Sequence, residues 1–385
     1  MFRMPQAFLP PQFWAEEFSI FYLEDRRLGM DALFKTYAGY LHLFPRLIAF
    51  VLRWVPFEWA PFTYKLVSVL TAQLVGVMVA VVRLPISKPM RVFMILLVGL
   101  VPGSGEVFLN TANAITLVGA IGILLYIQAP ATRIELKLFE SLVLFVTGLS
   151  GAFMIFLFPI VGVRLFLTDW PKRIYYRIGV LVLVTLTNMI FYSAGGRLEG
   201  TVASRELEAW LECFVNFNNS FLFGRLPIHG TGAHLIGYSV MVGAALVMRN
   251  AIKNLGFWSS LRSESAFYVA CGAAVWLASI YLFRNTPHLI APYDGGGRYF
   301  YLPYLLLAFG FLSAYPRAGR ARTFVRGLVA VSTVASFLSF RPIPVVIQYR
   351  DYHFLQQVAE IRSKQKNTLM VPPNWDIDVR DVEFP

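Results

Sequence analysis

Long apolar runs, many of them close to twenty residues, alternate along this chain with short polar segments. A run of about twenty apolar residues spans the hydrocarbon core of a bilayer, where the backbone must satisfy its own hydrogen bonds and so forms a helix. The pattern predicts spans over residues 62–83, 88–102, 107–128, 138–149, 152–168, 174–194, 229–248, 265–283, 299–316 and 324–340. The predicted fold class is therefore an all-α polytopic membrane protein with about ten transmembrane helices.

Basic residues mark one set of the loops between these runs. The set is Arg83, Lys88 and Arg91; Arg133 and Lys137; Lys172, Arg173 and Arg177; Arg249, Lys253 and Arg262; and Arg317, Arg320, Arg322 and Arg326. Short basic loops stay in the cytoplasm, which puts the other loops and both termini on the outer face. Residues 137 and 172 then share a side, so the chain between them must form a hairpin of two short helices that turns at residues 148–151.

This topology predicts three regions. Residues 1–60 form an extracytoplasmic or interfacial first loop that carries catalytic residues. Residues 61–340 form the transmembrane domain, with outer loops at 102–106, 195–228 and 284–298, and residues 341–385 form an extracytoplasmic tail. The first loop needs a segment that carries it outward: either a helix upstream of it, which we favour, or residues 41–56, which would help insertion.

Composition narrows the functional classes. Only 15% of the residues are charged and the mean hydropathy is +0.59, whereas soluble domains are about 25% charged. The net charge of +12 comes from short loops between apolar runs, so it indicates membrane topology and not nucleic-acid binding. Cys213 and Cys271 are far apart, which argues against a disulfide or metal framework. No internal repeat is visible, which disfavours a transporter.

Glu16 and Glu17 are adjacent acids in the aromatic-rich segment PPQFWAEEFSIFYLEDRRLG. One interpretation is an interfacial amphipathic helix with a solvated acidic face. The other is a general base, because apolar surroundings raise the pKa of a carboxyl group and make it a better base. His42, in the same region, is predicted to be a packed or hydrogen-bonded histidine and not a catalytic one.

Two further outer motifs carry polar groups. Glu106, Asn110 and Asn113 are spaced i, i+4 and i+7, which predicts one helix face that either lines a cavity or forms interhelical hydrogen bonds. Arg298 follows three glycines and precedes Tyr299, so it could either pair with a phosphate or reach the membrane interface. Trp375, after two prolines in the tail, is a candidate aromatic platform for a sugar ring, although a lone interfacial Trp is commoner.

Taken in order, the segments FWAEE, AGYLHLFPRL, GEVFLNTAN, GGRYFYLP and PPNW resemble the GT-C membrane glycosyltransferases of bacterial envelopes. The resemblance implies a helical bundle in the inner membrane with an acidic first outer loop. It implies transfer of a sugar from a polyprenyl-phosphate donor to an envelope glycan or lipid-linked acceptor on the extracytoplasmic face. The base would be Glu17 or Glu16; Glu17 stands where the family pattern has Asp, so which acid works stays open.

The resemblance also implies the substrate contacts. The charge of the leaving polyprenyl phosphate would be stabilised by Arg298, with Arg46 and Arg26 as further candidates. The full set of substrate-binding candidates is Arg298, Tyr299, Glu106, Asn110, Asn113, Arg46, His42, Arg26 and Trp375. The expected partners are the lipid-linked donor, the acceptor and membrane lipid, with no nucleic acid. No cofactor is expected; the sequence has no convincing metal-ligand cluster, and dependence on a divalent metal stays open.

Three alternatives remain at this point, one of which is a non-catalytic remnant. An O-antigen polymerase or ligase-like enzyme would use Arg and His residues of a large outer loop, where the candidates are Arg197, Arg205, Arg225 and His229. A flippase or transporter would move a lipid-linked sugar without covalent change. The donor sugar, the acceptor and the anomeric outcome do not follow from the sequence.

Overall fold

The computed structural model describes residues 11–84, 86–101, 107–108, 110–167, 174–194, 213–217, 221–222, single positions between 235 and 249, 263–283, 298–317, 322–338, 351–372, 374–382 and 384–385. Its helices are α1 (Leu23–Leu28), α2 (Leu43–Val51), α3 (Ala60–Val81), α4 (Lys88–Leu100), α5 (Ile115–Ile127), α6 (Ile134–Leu149), α7 (Phe153–Phe166), α8 (Tyr175–Ala194), α9 (Glu264–Leu282), α10 (Arg298–Ala314), α11 (Arg322–Leu338) and α12 (Phe354–Arg362). A π-helical turn, Glu17–Tyr22, precedes α1, and two antiparallel strands, β1 (Thr368–Val371) and β2 (Trp375–Asp378), form a hairpin near the C-terminus.

The protein is mostly helical, as the apolar runs predicted. Three helices in the described part of the chain are long and apolar enough to cross a membrane: Ala60–Val81, Tyr175–Ser193 and Glu264–Leu282. Ile115–Ile127 and Phe153–Phe166 are apolar but shorter. The predicted count of about ten spans is not confirmed. The other described helices in the predicted spans are 17 residues or shorter, whereas a span needs roughly twenty. The predicted span 229–248 lies largely outside the described residues.

The third predicted span, 107–128, was wrong at its N-terminal end. Helix α5 begins at Ile115, and residues 110–114 form turns before it. The Asn110 side chain accepts a hydrogen bond from the Asn113 backbone N–H at 3.3 Å, which favours a turn over a continued helix. Apolar periodicity cannot detect this local competition between a side chain and the helical backbone.

The predicted hairpin between residues 137 and 172 is present as α6 and α7, with the chain turning at residues 150–152. Ser150 Oγ donates to the Val146 carbonyl at 2.5 Å and accepts from the Phe44 N–H at 2.9 Å. A Cβ atom on Gly148 would lie 2.5 Å from Val184 Cγ1, so glycine is needed where α6 and α8 approach. The hydrogen bond between Phe44 and Ser150 holds the turn against the start of α2.

The two ends of the chain pack together around an apolar cluster of their own. The Ala15 N–H donates to the Pro372 carbonyl at 2.9 Å, and the Tyr352 N–H donates to Gln12 Oε1 at 3.0 Å. The rings of Phe57 and Phe384 stack with centroids 4.0 Å apart. Residues 351–385 therefore cover the aromatic side chains of the first segment, residues 11–59, which precedes α3. The first segment lies at the same end of the bundle as the turn at residues 150–152.

Trp54 and Trp59 are exposed directly before α3, with 83% and 64% of their surface accessible. They stand at the head of an exposed apolar stripe along that helix, formed by Leu66, Leu70, Leu74, Val77 and Val81. Trp at the end of a lipid-facing helix face settles at the headgroup level of a bilayer. We therefore predict that lipid brominated near the headgroup end of its acyl chains quenches the fluorescence of both residues in proteoliposomes.

A buried tryptophan, Trp276, serves as the control for the two exposed tryptophans in this quenching experiment. Trp54→Phe and Trp59→Phe should each remove part of the quenched emission. Trp276→Phe should not, because Trp276 is only 4% exposed, stacks on Phe217 and packs against the tilted ring of Phe300. Quenching that is unchanged by both Trp54→Phe and Trp59→Phe would show that this surface does not face lipid.

Candidate functional site

A cavity of about 250 Å³ lies between the first segment and the helix bundle. Its walls come from residues 16–42, from residues 112–116 where a turn leads into α5, from the start of α7, and from the facing ends of α9 and α10. Five of the candidates predicted from the sequence line it: Glu16, His42, Asn113, Arg298 and Tyr299. Residues that are far apart in the sequence thus meet in one cavity.

Glu16 and Arg298 form the charged part of the cavity. Arg298 Nη1 lies 3.7 Å from Glu16 Oε1, and their side chains are 28% and 17% exposed. This separation exceeds that of a close charge-assisted hydrogen bond, about 2.7–2.9 Å, so the ion pair is loose. The Arg298 guanidinium also lies over the Tyr299 ring, 5.2 Å from its centroid. Arg298 lines the cavity, so an anionic group that enters it can contact the guanidinium beside Glu16.

Glu17 lies behind the cavity wall and is not part of its lining. It is 1% exposed, and its two carboxylate oxygens accept from backbone N–H groups: Oε2 from Trp14 at 3.0 Å and Oε1 from Thr111. Burial raises the pKa of the Glu17 carboxyl, while the positive charge of Lys65 and the two N–H donors oppose that rise. Of the two adjacent acids, Glu16 is the one that faces the cavity.

An aromatic wall stands beside Glu16. The backbones of Tyr37 and Tyr40 pair in an isolated β-bridge, and the turn between them places Ala38 and Gly39 at φ of +54° and +88°. His42 is 4% exposed and its ring stacks on Tyr40 with centroids 3.9 Å apart and planes tilted by 17°. The His42 side chain is therefore packed, as predicted, and it also reaches the cavity. Flat aromatic surfaces of this kind suit the apolar face of a sugar ring.

The two asparagines of the predicted helix face, Asn110 and Asn113, take different positions in the structure. Because residues 107–114 precede α5, the predicted single helix face of Glu106, Asn110 and Asn113 was wrong. Asn113 lines the cavity, whereas Asn110 is buried behind it and bonds to the Asn113 backbone. Glu106 lies outside the described residues.

Three other predicted contacts lie outside the cavity lining. Arg46 is buried and donates to Glu24 at 3.0 Å and to the Leu41 carbonyl at 3.2 Å, so its guanidinium holds the first segment together. Arg26 lies over the Tyr22 ring, 4.8 Å from its centroid. Trp375 is on β2, 40% exposed. The structure does not bring these three side chains to the cavity.

The sequence missed the apolar wall and the aromatic residues opposite it. Val275, Ala278 and Leu282 of α9 and Leu302 of α10 line the cavity, as do Tyr37 and Tyr40. The tyrosines had a signal, since a glycine between aromatic residues is typical of a tight turn that presents them. The apolar residues had none, because any residue of an apolar helix can face lipid, a neighbouring helix or a cavity.

No protein-family model, no curated protein and no solved structure matches this chain. Within the described ranges, no three His, Cys, Asp or Glu side chains are grouped so that they could hold a metal ion. The polar groups that line the cavity are a carboxylate, a guanidinium, an amide, an imidazole and hydroxyls, with aromatic rings and an apolar wall beside them. These groups suit proton removal from a hydroxyl, binding of an anion and contact with an apolar chain.

Proposed function

We propose that this protein is a glycosyltransferase of the bacterial inner membrane. It transfers a sugar from a polyprenyl-phosphate donor to a hydroxyl of an envelope glycan or lipid-linked acceptor on the extracytoplasmic face. The observation that supports this most is the pairing of Glu16 with Arg298 across one cavity. A base and an anion-binding group are the two functions that such a transfer requires, and the cavity has an apolar wall for the lipid part of the donor.

The reaction is a displacement at the anomeric carbon. Glu16 accepts the proton of the acceptor hydroxyl as its oxygen forms a bond to that carbon. The bond from the anomeric carbon to the phosphate oxygen breaks, and the polyprenyl phosphate leaves with the bonding electron pair. Arg298 lies where it can stabilise the charge of the leaving phosphate through paired N–H donors. A phosphate on Arg298 also replaces Glu16 as its partner, which leaves the carboxylate available as base.

The size and lining of the cavity agree with this donor. Its volume of about 250 Å³ is slightly below the range of about 300–1,000 Å³ found for small-molecule sites, which suits one sugar and a phosphate better than a long glycan. Asn113 supplies an amide for sugar hydroxyls, and Tyr37 and Tyr40 supply aromatic surface. Val275 and Leu302 are apolar wall residues that suit the first part of a prenyl chain.

Linkage analysis of surface glycans tests the proposed function without knowledge of the sugar. We expect a strain that lacks this protein to lose one sugar residue or linkage, and to regain it when the wild-type gene or a Glu135→Gln variant is supplied. Glu135 is an exposed acid on α6, outside the cavity, and serves as the matched control. Glycan with every linkage intact but changed chain length would favour a polymerase, and lipid-linked sugar retained on the inner leaflet would favour a flippase.

A further inference from the structure

We infer that Glu17 is a positioning residue that holds Glu16 at the cavity through two hydrogen bonds to the backbone. The inference rests on the proposed function, since it takes Glu16 as the base. It assigns distinct roles to the two adjacent acids: Glu16 faces the cavity, whereas Glu17 is buried behind the cavity wall.

The Glu17 carboxylate joins two segments of the chain. One oxygen accepts from the Trp14 N–H and thereby closes the turn that contains Glu16, while the other accepts from the Thr111 N–H. The Thr111 hydroxyl in turn donates to the Tyr64 carbonyl at 2.9 Å, one residue before Lys65. The first segment, the turn before α5 and the start of α3 therefore meet at one carboxylate.

This junction sets the distance across the cavity. Glu16 precedes Glu17 in the chain, and Ala112 and Asn113 follow Thr111; all three line the cavity. Loss of the bond between Glu17 and Thr111 would let these two walls move apart. Displacement of a catalytic group by about 1 Å is enough to cost about a hundredfold in rate.

The junction uses both carboxylate oxygens of Glu17, one for each N–H donor. The amide of a glutamine has a single acceptor oxygen, and its NH₂ group would face the second donor. Glu17→Gln therefore loses one of the two bonds at almost unchanged side-chain volume.

A set of single variants tests the inference. Each variant is produced in the deletion strain, and transfer is assayed in its membranes with a lipid extract of that strain as donor, titrated to separate kcat from KM. We expect Glu17→Gln to lower kcat about 10–100-fold through displacement of Glu16, with little change in KM. Its pH profile should remain that of the wild-type protein, because that profile belongs to Glu16, whereas Glu16→Gln should lose it. Protein levels in the membrane are used to normalise every rate.

The outcomes separate the inference from the proposed function. A Glu17→Gln kcat equal to the wild-type value, in a set where Glu16→Gln is inactive, overturns the positioning role alone. Transfer by Glu16→Gln together with its loss in Glu17→Gln makes Glu17 the base. No transfer by the wild-type protein contradicts the proposed function itself. If Glu17→Gln does not accumulate, Glu17→Asp decides, because its shorter side chain cannot span both N–H donors: a lower kcat with an unchanged pH profile supports the inference, and an unchanged kcat overturns it.

Discussion

Replacing Glu16 by Gln should lower the rate of sugar transfer by about 10²–10⁴-fold, which is the usual contribution of a general base. Gln keeps the size of the side chain and can still contact Arg298, but it cannot take the proton of an acceptor hydroxyl. The rate is measured in membranes of the deletion strain supplied with each variant. Because the proposed donor contacts are Arg298 and the apolar wall, which this substitution leaves in place, we expect kcat to fall far more than KM changes.

Glu135→Gln is the control for this experiment, since it makes the same chemical change at an exposed position on α6. Its rate should equal that of the wild-type protein. Arg298→Lys provides a second comparison: it keeps the positive charge but loses the paired N–H donors, so we expect a smaller loss than for Glu16→Gln. A Glu16→Gln rate within a factor of two of wild type would remove Glu16 from the reaction.

Glu140→Ala should destabilise the protein by about 3–5 kcal/mol, the typical result of removing one partner from a buried ion pair. Glu140 lies on α6 at the opposite end from the cavity and is bound by the buried Arg177 of α8, with Arg177 Nε 2.5 Å from Glu140 Oε1. Tyr176 donates to its other oxygen at 2.9 Å. The substitution leaves the Arg177 charge buried with only the Gln128 carbonyl at 2.8 Å to accept from it. Equilibrium unfolding in detergent micelles measures the loss.

Two comparisons test the cause of this loss. Glu140→Leu/Arg177→Met removes both charges and should recover most of the stability, because buried pairs replaced by apolar residues are often neutral. Glu135→Gln on the same helix should change stability by no more than about 0.5 kcal/mol, as expected at an exposed site. A double variant as unstable as Glu140→Ala would show that the geometry of the network, and not the unpaired charge, carries the effect.

The two glutamates show where a sequence motif loses information. As adjacent residues in a short helical turn they point in different directions, and the sequence does not say which direction is inward. The structure places Glu17 against the Trp14 and Thr111 backbones and leaves Glu16 at the cavity. The two asparagines of the predicted helix face show the same limit, because that face depended on a helix that begins only at Ile115.

The sequence by itself determined that this protein is built from apolar helices, that the chain turns back near residues 148–151, and that Glu16, His42, Asn113, Arg298 and Tyr299 were candidate site residues. Those conclusions follow from local properties: the length of an apolar run, the small residues at a turn, and the rarity of polar groups beside apolar ones. Only the tertiary structure decided which of these groups share a cavity. That choice depends on contacts between segments hundreds of residues apart, whose packing no single segment encodes.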